Sequence, residues 1–124
     1  MQPYGVLAYQ RTTKAVESPR EREAALLIKA AASLQHIRDT WPSHNDELGD
    51  ALTFNRKLWT IFMTSVTRDD NPLPREVRQN IANLGLFIMN QTREILSEPE
   101  QRKLDVLVNL NRQIAAGLRS MPAA

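Results

Sequence analysis

The sequence predicts an all-α protein, an antiparallel helical bundle of about four long helices with a loosely attached N-terminal arm. Three observations predict it. Apolar residues recur at three- and four-residue spacings through four stretches of about 20 residues each. Helix-start chemistry of the Ser-X-X-Glu kind occurs twice, at Ser18-Pro19-Arg20-Glu21 and Ser97-Glu98-Pro99-Glu100. The connections are short and rich in Pro, Asn and Asp, as expected for antiparallel neighbours.

Residues 1–17 form the arm. It opens on Gln2, Pro3 and Gly5, is compatible with a helix from Leu7 to Val16, and carries Tyr4, Leu7 and Tyr9 as groups able to dock on the body. The bundle domain spans 18–120, and residues 121–124 are a frayed tail.

Ser18 starts the first helix. Its side chain can accept from the Glu21 N–H, Glu21 can reach back to complete a capping box, and Pro19 falls where a missing N–H costs nothing. Trp41-Pro42 stops this helix near Thr40, because a residue before proline avoids the α region. Its inward stripe is Leu27, Ala30, Ala31, Leu34 and Ile37. A turn over 42–46 leads to a second helix, about Glu47 to Thr67. Its stripe is Leu48, Ala51, Leu52, Leu58, Trp59, Phe62 and Val66, with Phe54 and Ile61 widening one flank. Asn55 lies mid-stripe. An unpartnered amide in a core costs ~1–3 kcal/mol, so either it is paired or that face is partly open.

After Arg68–Leu73, Pro74 opens a third helix that ends near Ser97. Between 81 and 89 it turns apolar almost all round. Ile81, Leu84 and Ile88 make one stripe, Phe87 and Met89 widen it, and Leu86 points the opposite way. A surface helix of a lone domain keeps one polar face, so this segment needs neighbours on more than one side. It is either the central helix of its own bundle or a face that receives another protein's helix. Gly85 in its middle permits close backbone approach. The fourth helix runs to about Ser120 on Leu104, Leu107, Val108, Ile114, Ala115 and Leu118.

An internal echo links the halves. Pro19-Arg20-Glu21 recurs as Pro74-Arg75-Glu76, and Asn55-Arg56-Lys57-Leu58 as Asn111-Arg112-Gln113-Ile114. In that alignment Leu48, Leu52 and Phe62 match Leu104, Val108 and Leu118, and Asn111 also falls mid-stripe. Two hairpins related by a pseudo-twofold axis would explain this; so would the capping and heptad chemistry common to bundle helices.

Composition narrows the function. At 124 residues with 42% apolar and 24% charged side chains, the chain is one ordinary globular domain. It has no cysteine, hence no disulfide or thiolate metal site. No apolar run approaches the ~20 residues of a membrane span and no secretory signal is present, so a cytoplasmic protein is expected. The net charge of +2 is spread thinly, as in Pro19-Arg20-Glu21-Arg22-Glu23, rather than gathered on one basic face, which argues against direct nucleic-acid binding. Catalytic signals are missing. His36 and His44 stand isolated, with only a surface pairing of His36 and Asp39 in view. Asp69-Asp70-Asn71 lacks the rest of a calcium loop. The four glycines are scattered, and no nucleophile motif occurs. The expectation is a non-enzyme without metal or cofactor. Trp59, beside Arg56, is either a core side chain or an interface anchor, since Trp and Arg are enriched at interfaces. Arg56 and Arg78 suit rim or amide-network roles.

Ser18-Pro19-Arg20-Glu21 with Leu26-Leu27-Ile28-Lys29-Ala30-Ala31, Asn55-Arg56-Lys57-Leu58-Trp59, and Arg78-Gln79-Asn80-Ile81-Ala82-Asn83-Leu84-Gly85 together resemble FlaF, the flagellar biosynthesis regulators of alphaproteobacteria. The likeness runs from about Tyr9 to Arg119. It implies a protein that binds flagellin, supports its synthesis and export as a secretion chaperone, and works against FlbT, a repressor of flagellin translation. Post-transcriptional regulation of flagellin translation, acting through FlbT or directly on flagellin messenger RNA, is the alternative, and a self-associating helical module is a third reading. With the apolar girth of 81–89, the likeness points to a flagellin-contact surface of Arg56, Trp59, Arg78, Asn80, Asn83, Leu86 and Phe87.

Overall fold

The computed structural model describes residues 18–121, and the expected arm over 1–17 and the tail beyond Met121 lie outside them. Four long helices make up the described chain: α1 (Pro19–Asp39), α2 (Leu48–Val66), α3 (Arg75–Ser97) and α4 (Leu104–Ser120). A 3₁₀ turn precedes α2 at Asn45–Glu47, and another precedes α4 at Gln101–Lys103. The all-α bundle is as the periodicity predicts.

Ser18 caps α1, accepting from the Glu21 N–H at 3.1 Å. The Glu21 carboxylate, expected to return to the cap, instead receives Arg119 of α4 at 2.9 Å. At the other end of α1, Arg38 pairs with Asp105 of α4 at 3.1 Å. These two ion pairs clasp α1 and α4 at both ends of their shared length. The second expected capping box does not form. Ser97 is the last residue of α3, and Glu98 and Pro99 break the chain before the 3₁₀ turn. Lys103, only 12% exposed, faces Glu94, Glu98 and Glu100 there and donates to the Glu98 carbonyl at 2.8 Å. In the α2–α3 connection, Asn71 donates to the Ser65 carbonyl and accepts from the Leu73 N–H at 3.0 Å.

The core holds Leu27, Leu34, Leu52, Ile88, Leu104 and Leu107, all fully buried. Trp59 lies among them, its ring edge-on to Phe62 at 5.7 Å between centroids. At the centre is a polar relay. The Trp59 indole N–H donates to Asn111 Oδ1 at 2.8 Å, and Asn111 Nδ2 donates to Asn55 Oδ1 at 2.7 Å. Both amides are fully buried, and the Nδ2 of Asn55 has no partner. The two residues that the internal echo equates therefore meet each other across the middle of the bundle.

The pseudo-twofold relation is only partly kept. It would exchange α1 with α3 and α2 with α4. The pair α1/α4 is then equivalent to α3/α2, and both are long packed interfaces. The pair α1/α2 also packs, but its equivalent, α3/α4, makes little contact. The residue equivalent to Trp59 is Ala115, so one half fills the centre with an indole and the other leaves room for it. The consequence is a bundle open along one seam.

Candidate functional site

The open seam follows from the α3 sequence. Its buried positions are Ile81, Gly85, Ile88, Thr92 and Ile95. Spacings that alternate four and three trace a narrow coiled-coil stripe rather than a broad buried face. That stripe serves one neighbour, α2, which comes close at Gly85. A Cβ there would stand 2.4 Å from Cγ and Sδ of Met63, so the glycine admits the methionine. The flanks of α3 are left uncovered. Three of the six large exposed hydrophobic residues among those described sit on it: Leu86 at 59% exposure, Phe87 at 44% and Leu96 at 54%.

Between α3 and α4 lies a groove of about 190 Å³ lined mainly by Val77, Asn80, Ile81, Ile114, Leu118 and Met121. Its floor is apolar and its rim carries the amides of Asn80 and Gln113. Met121, placed with the tail by sequence, is half-buried against the core. Phe87 stands seven residues from Asn80, about two turns, and so falls on the same side of α3 as the groove. Leu86 is displaced by ~100° and faces outward.

The expected contact residues divide accordingly. Asn80, Asn83, Leu86 and Phe87 are exposed on α3, and Arg56 is exposed on α2. Asn83 accepts from Gln79 at 3.1 Å. Trp59 is a correction: it is fully buried and bound to Asn111, so it anchors the core and cannot touch a partner while the bundle is closed. Arg78 is half-buried, and its guanidinium donates to the Arg68 carbonyl at 2.9 Å, tying α3 to the preceding connection. Ile61 is a second correction. Expected to widen the buried flank of α2, it is 64% exposed.

Sequence reasoning missed two features. The first is the groove: its α4 wall is the edge of the predicted core stripe, with Leu118 buried and Ile114 partly buried against the core, so no periodic signal marks it. The histidines were read as isolated, yet the rings of His36 and His44 lie 4.9 Å apart between centroids, with Glu47 beside them. Asp39, the expected surface partner of His36, pairs with Arg38 instead at 3.2 Å. No helix among the described residues is long and apolar enough to cross a membrane.

No curated protein and no solved structure matches the chain. A family model described as "Flagellar protein FlaF" matches residues 6–118, nearly its whole length. The narrow stripe of α3, the half-open bundle and the strings around Asn55 and Ile81 all fall inside that match, and the chain belongs to the FlaF family of flagellar proteins.

Proposed function

We propose that this chain binds flagellin and holds it for synthesis and export as a secretion chaperone, acting in the cytoplasm and catalysing no reaction. The observation that carries the reading is the uncovered side of α3, where Phe87 and the α3/α4 groove offer a strip for an amphipathic helix. Membership in a flagellar family supplies the context. The physical logic is that of helix-in-groove recognition. Flagellin ends are amphipathic helices that would self-associate before export, and their apolar faces need cover. Asn80 and Gln113, which line the groove, give such a helix polar partners and fix its register.

The test is co-purification of flagellin with the Leu86→Glu/Phe87→Glu double variant. Both side chains are exposed, so helicity and melting are expected to match those of the parent. Flagellin binding should fall by at least about tenfold, because hot-spot aromatics at interfaces typically contribute ~2 kcal/mol or more. Undiminished binding would remove α3 as the docking face. If the variant kept flagellin and lost FlbT instead, this surface would serve translational control.

A further inference from the structure

The connection between α1 and α2 gathers both histidines of the chain. His36 lies in the last turn of α1 and is exposed. His44 follows in the connection, half-buried, and Glu47 closes the 3₁₀ turn that leads into α2. One donor atom from each of these residues lies within 4.8 Å of the other two. The imidazole planes are tilted by 42°. The Nδ1 of His44 is buried and has no hydrogen-bond partner in the protein. Beside the cluster, His36 and Glu47 help to line an open cleft of about 350 Å³, together with Lys29, Asp50 and Phe54.

We propose that His36, His44 and Glu47 form a binding site for one divalent transition-metal ion, with Zn²⁺ the best match. Two imidazoles and one carboxylate are a nitrogen-and-oxygen donor set that zinc accepts in tetrahedral geometry, leaving a fourth position to water. Donors of such a site stand about 3.3 Å apart when metal–ligand bonds are about 2.0–2.1 Å. Donors as much as 4.8 Å apart therefore have to close by up to about 1.5 Å. His36 and Glu47 are exposed, so side-chain rotation alone can supply this. Asp50, one turn beyond Glu47, brings a further negative charge to the cleft. Lys29 lines it from α1 and opposes a cation, but its ammonium lies over the Phe54 ring, 5.5 Å from the centroid.

The ion would act on the architecture. The 3₁₀ turn contributes no buried residue, so nothing apolar fixes the connection between Ile37 and Leu48 except half-buried Trp41. A metal bridging the end of α1 to the start of α2 pins that hinge. Because the unfolded chain lacks the site, binding raises stability by mass action.

The test uses the tag-free full chain, freed of metal with a chelator and titrated with ZnCl₂ by calorimetry. The chain has only 2 histidines, so their imidazole NMR signals report on this site alone. One ion per chain is expected, with both histidine signals shifting and the melting temperature rising with zinc concentration. His36→Ala and Glu47→Gln should each weaken binding by roughly tenfold or more without changing the helicity of the metal-free chain. His44→Ala should do the same, and the two exposed variants decide the matter if it perturbs folding. The proposal is overturned if zinc leaves both histidine signals unmoved, or if His36→Ala and Glu47→Gln bind as tightly as the parent. A stoichiometry of one ion per two chains would also overturn it.

Discussion

Replacing Asn111 by alanine removes the link between two other buried groups. In the native chain its Oδ1 accepts from the Trp59 indole at 2.8 Å and its Nδ2 donates to Asn55 Oδ1 at 2.7 Å, with all three side chains fully buried. Truncation leaves the indole N–H and the Asn55 amide without partners. Each orphaned polar group costs ~1–3 kcal/mol, and the lost volume adds a cavity term, so the substitution should destabilise by about 3–5 kcal/mol. That is a large part of the ~5–15 kcal/mol available to a domain of this size. Urea unfolding followed by far-UV circular dichroism measures it, with the slope against denaturant unchanged if the native state stays closed. The relay also predicts non-additivity. In a Trp59→Phe background no indole N–H remains to be orphaned, so Asn111→Ala should cost about 1–2 kcal/mol less there than in the parent. A cost below about 1 kcal/mol in the parent, or strict additivity with Trp59→Phe, would refute the claim that these groups act as one network.

Gly85→Ala gains ~1 kcal/mol of helix propensity but places a Cβ 2.4 Å from Met63. Overpacking costs ~1–3 kcal/mol, so the parent should lose up to ~2 kcal/mol, whereas in a Met63→Ala background the same change should be stabilising; denaturation of the four proteins of the cycle tests this. Glu23 has its pKa raised above 4.5, chiefly by burial and against the pull of Arg20 and Arg22. The folded state then holds that proton more tightly than the unfolded chain does. Its contribution to stability is therefore most favourable below pH 4.5 and is lost as pH rises through the raised value. Glu23→Gln should accordingly stabilise the protein at neutral pH and lose that advantage in acid, as read from melting temperatures across the range.

Local periodicity carries a great deal here, because burial in a bundle is decided mostly by which side of a helix a residue occupies. Leu27, Ala30, Ala31, Leu34 and Ile37 of α1 were all legible in this way, and all are buried. The mid-stripe positions of Asn55 and Asn111 were legible too, and both are buried, but that each is the other's partner came only from the structure. What periodicity cannot convey is how many neighbours a stripe has. Leu118 is buried as its spacing on α4 predicts and Ile114 partly so, yet with Val77 and Ile81 they also border a groove, because α3 leans on α2 rather than on α4. Ile61 misleads for a related reason: at the edge of its stripe, its burial depends on a neighbour that does not arrive. Trp59 carried two readings that only the position of Asn111 could separate. His36 and His44 belong to a helix end and an irregular connection, where the fold of the connection brings them together and no repeat announces it. The Ser97 capping signal fails because α3 continues through that residue to satisfy its own last turn, and Pro99 then forces a fresh start.

The proposed seat of a flagellin helix is α3 and the groove beside it. Amide hydrogen exchange on the purified chain, alone and mixed with flagellin, tests this most directly. Added protection is predicted along residues 77–91 and along the facing part of α4 near Ile114–Leu118, with a matching protected segment in a terminal helix of flagellin. Protection confined to α1, or no change on either partner, would contradict it.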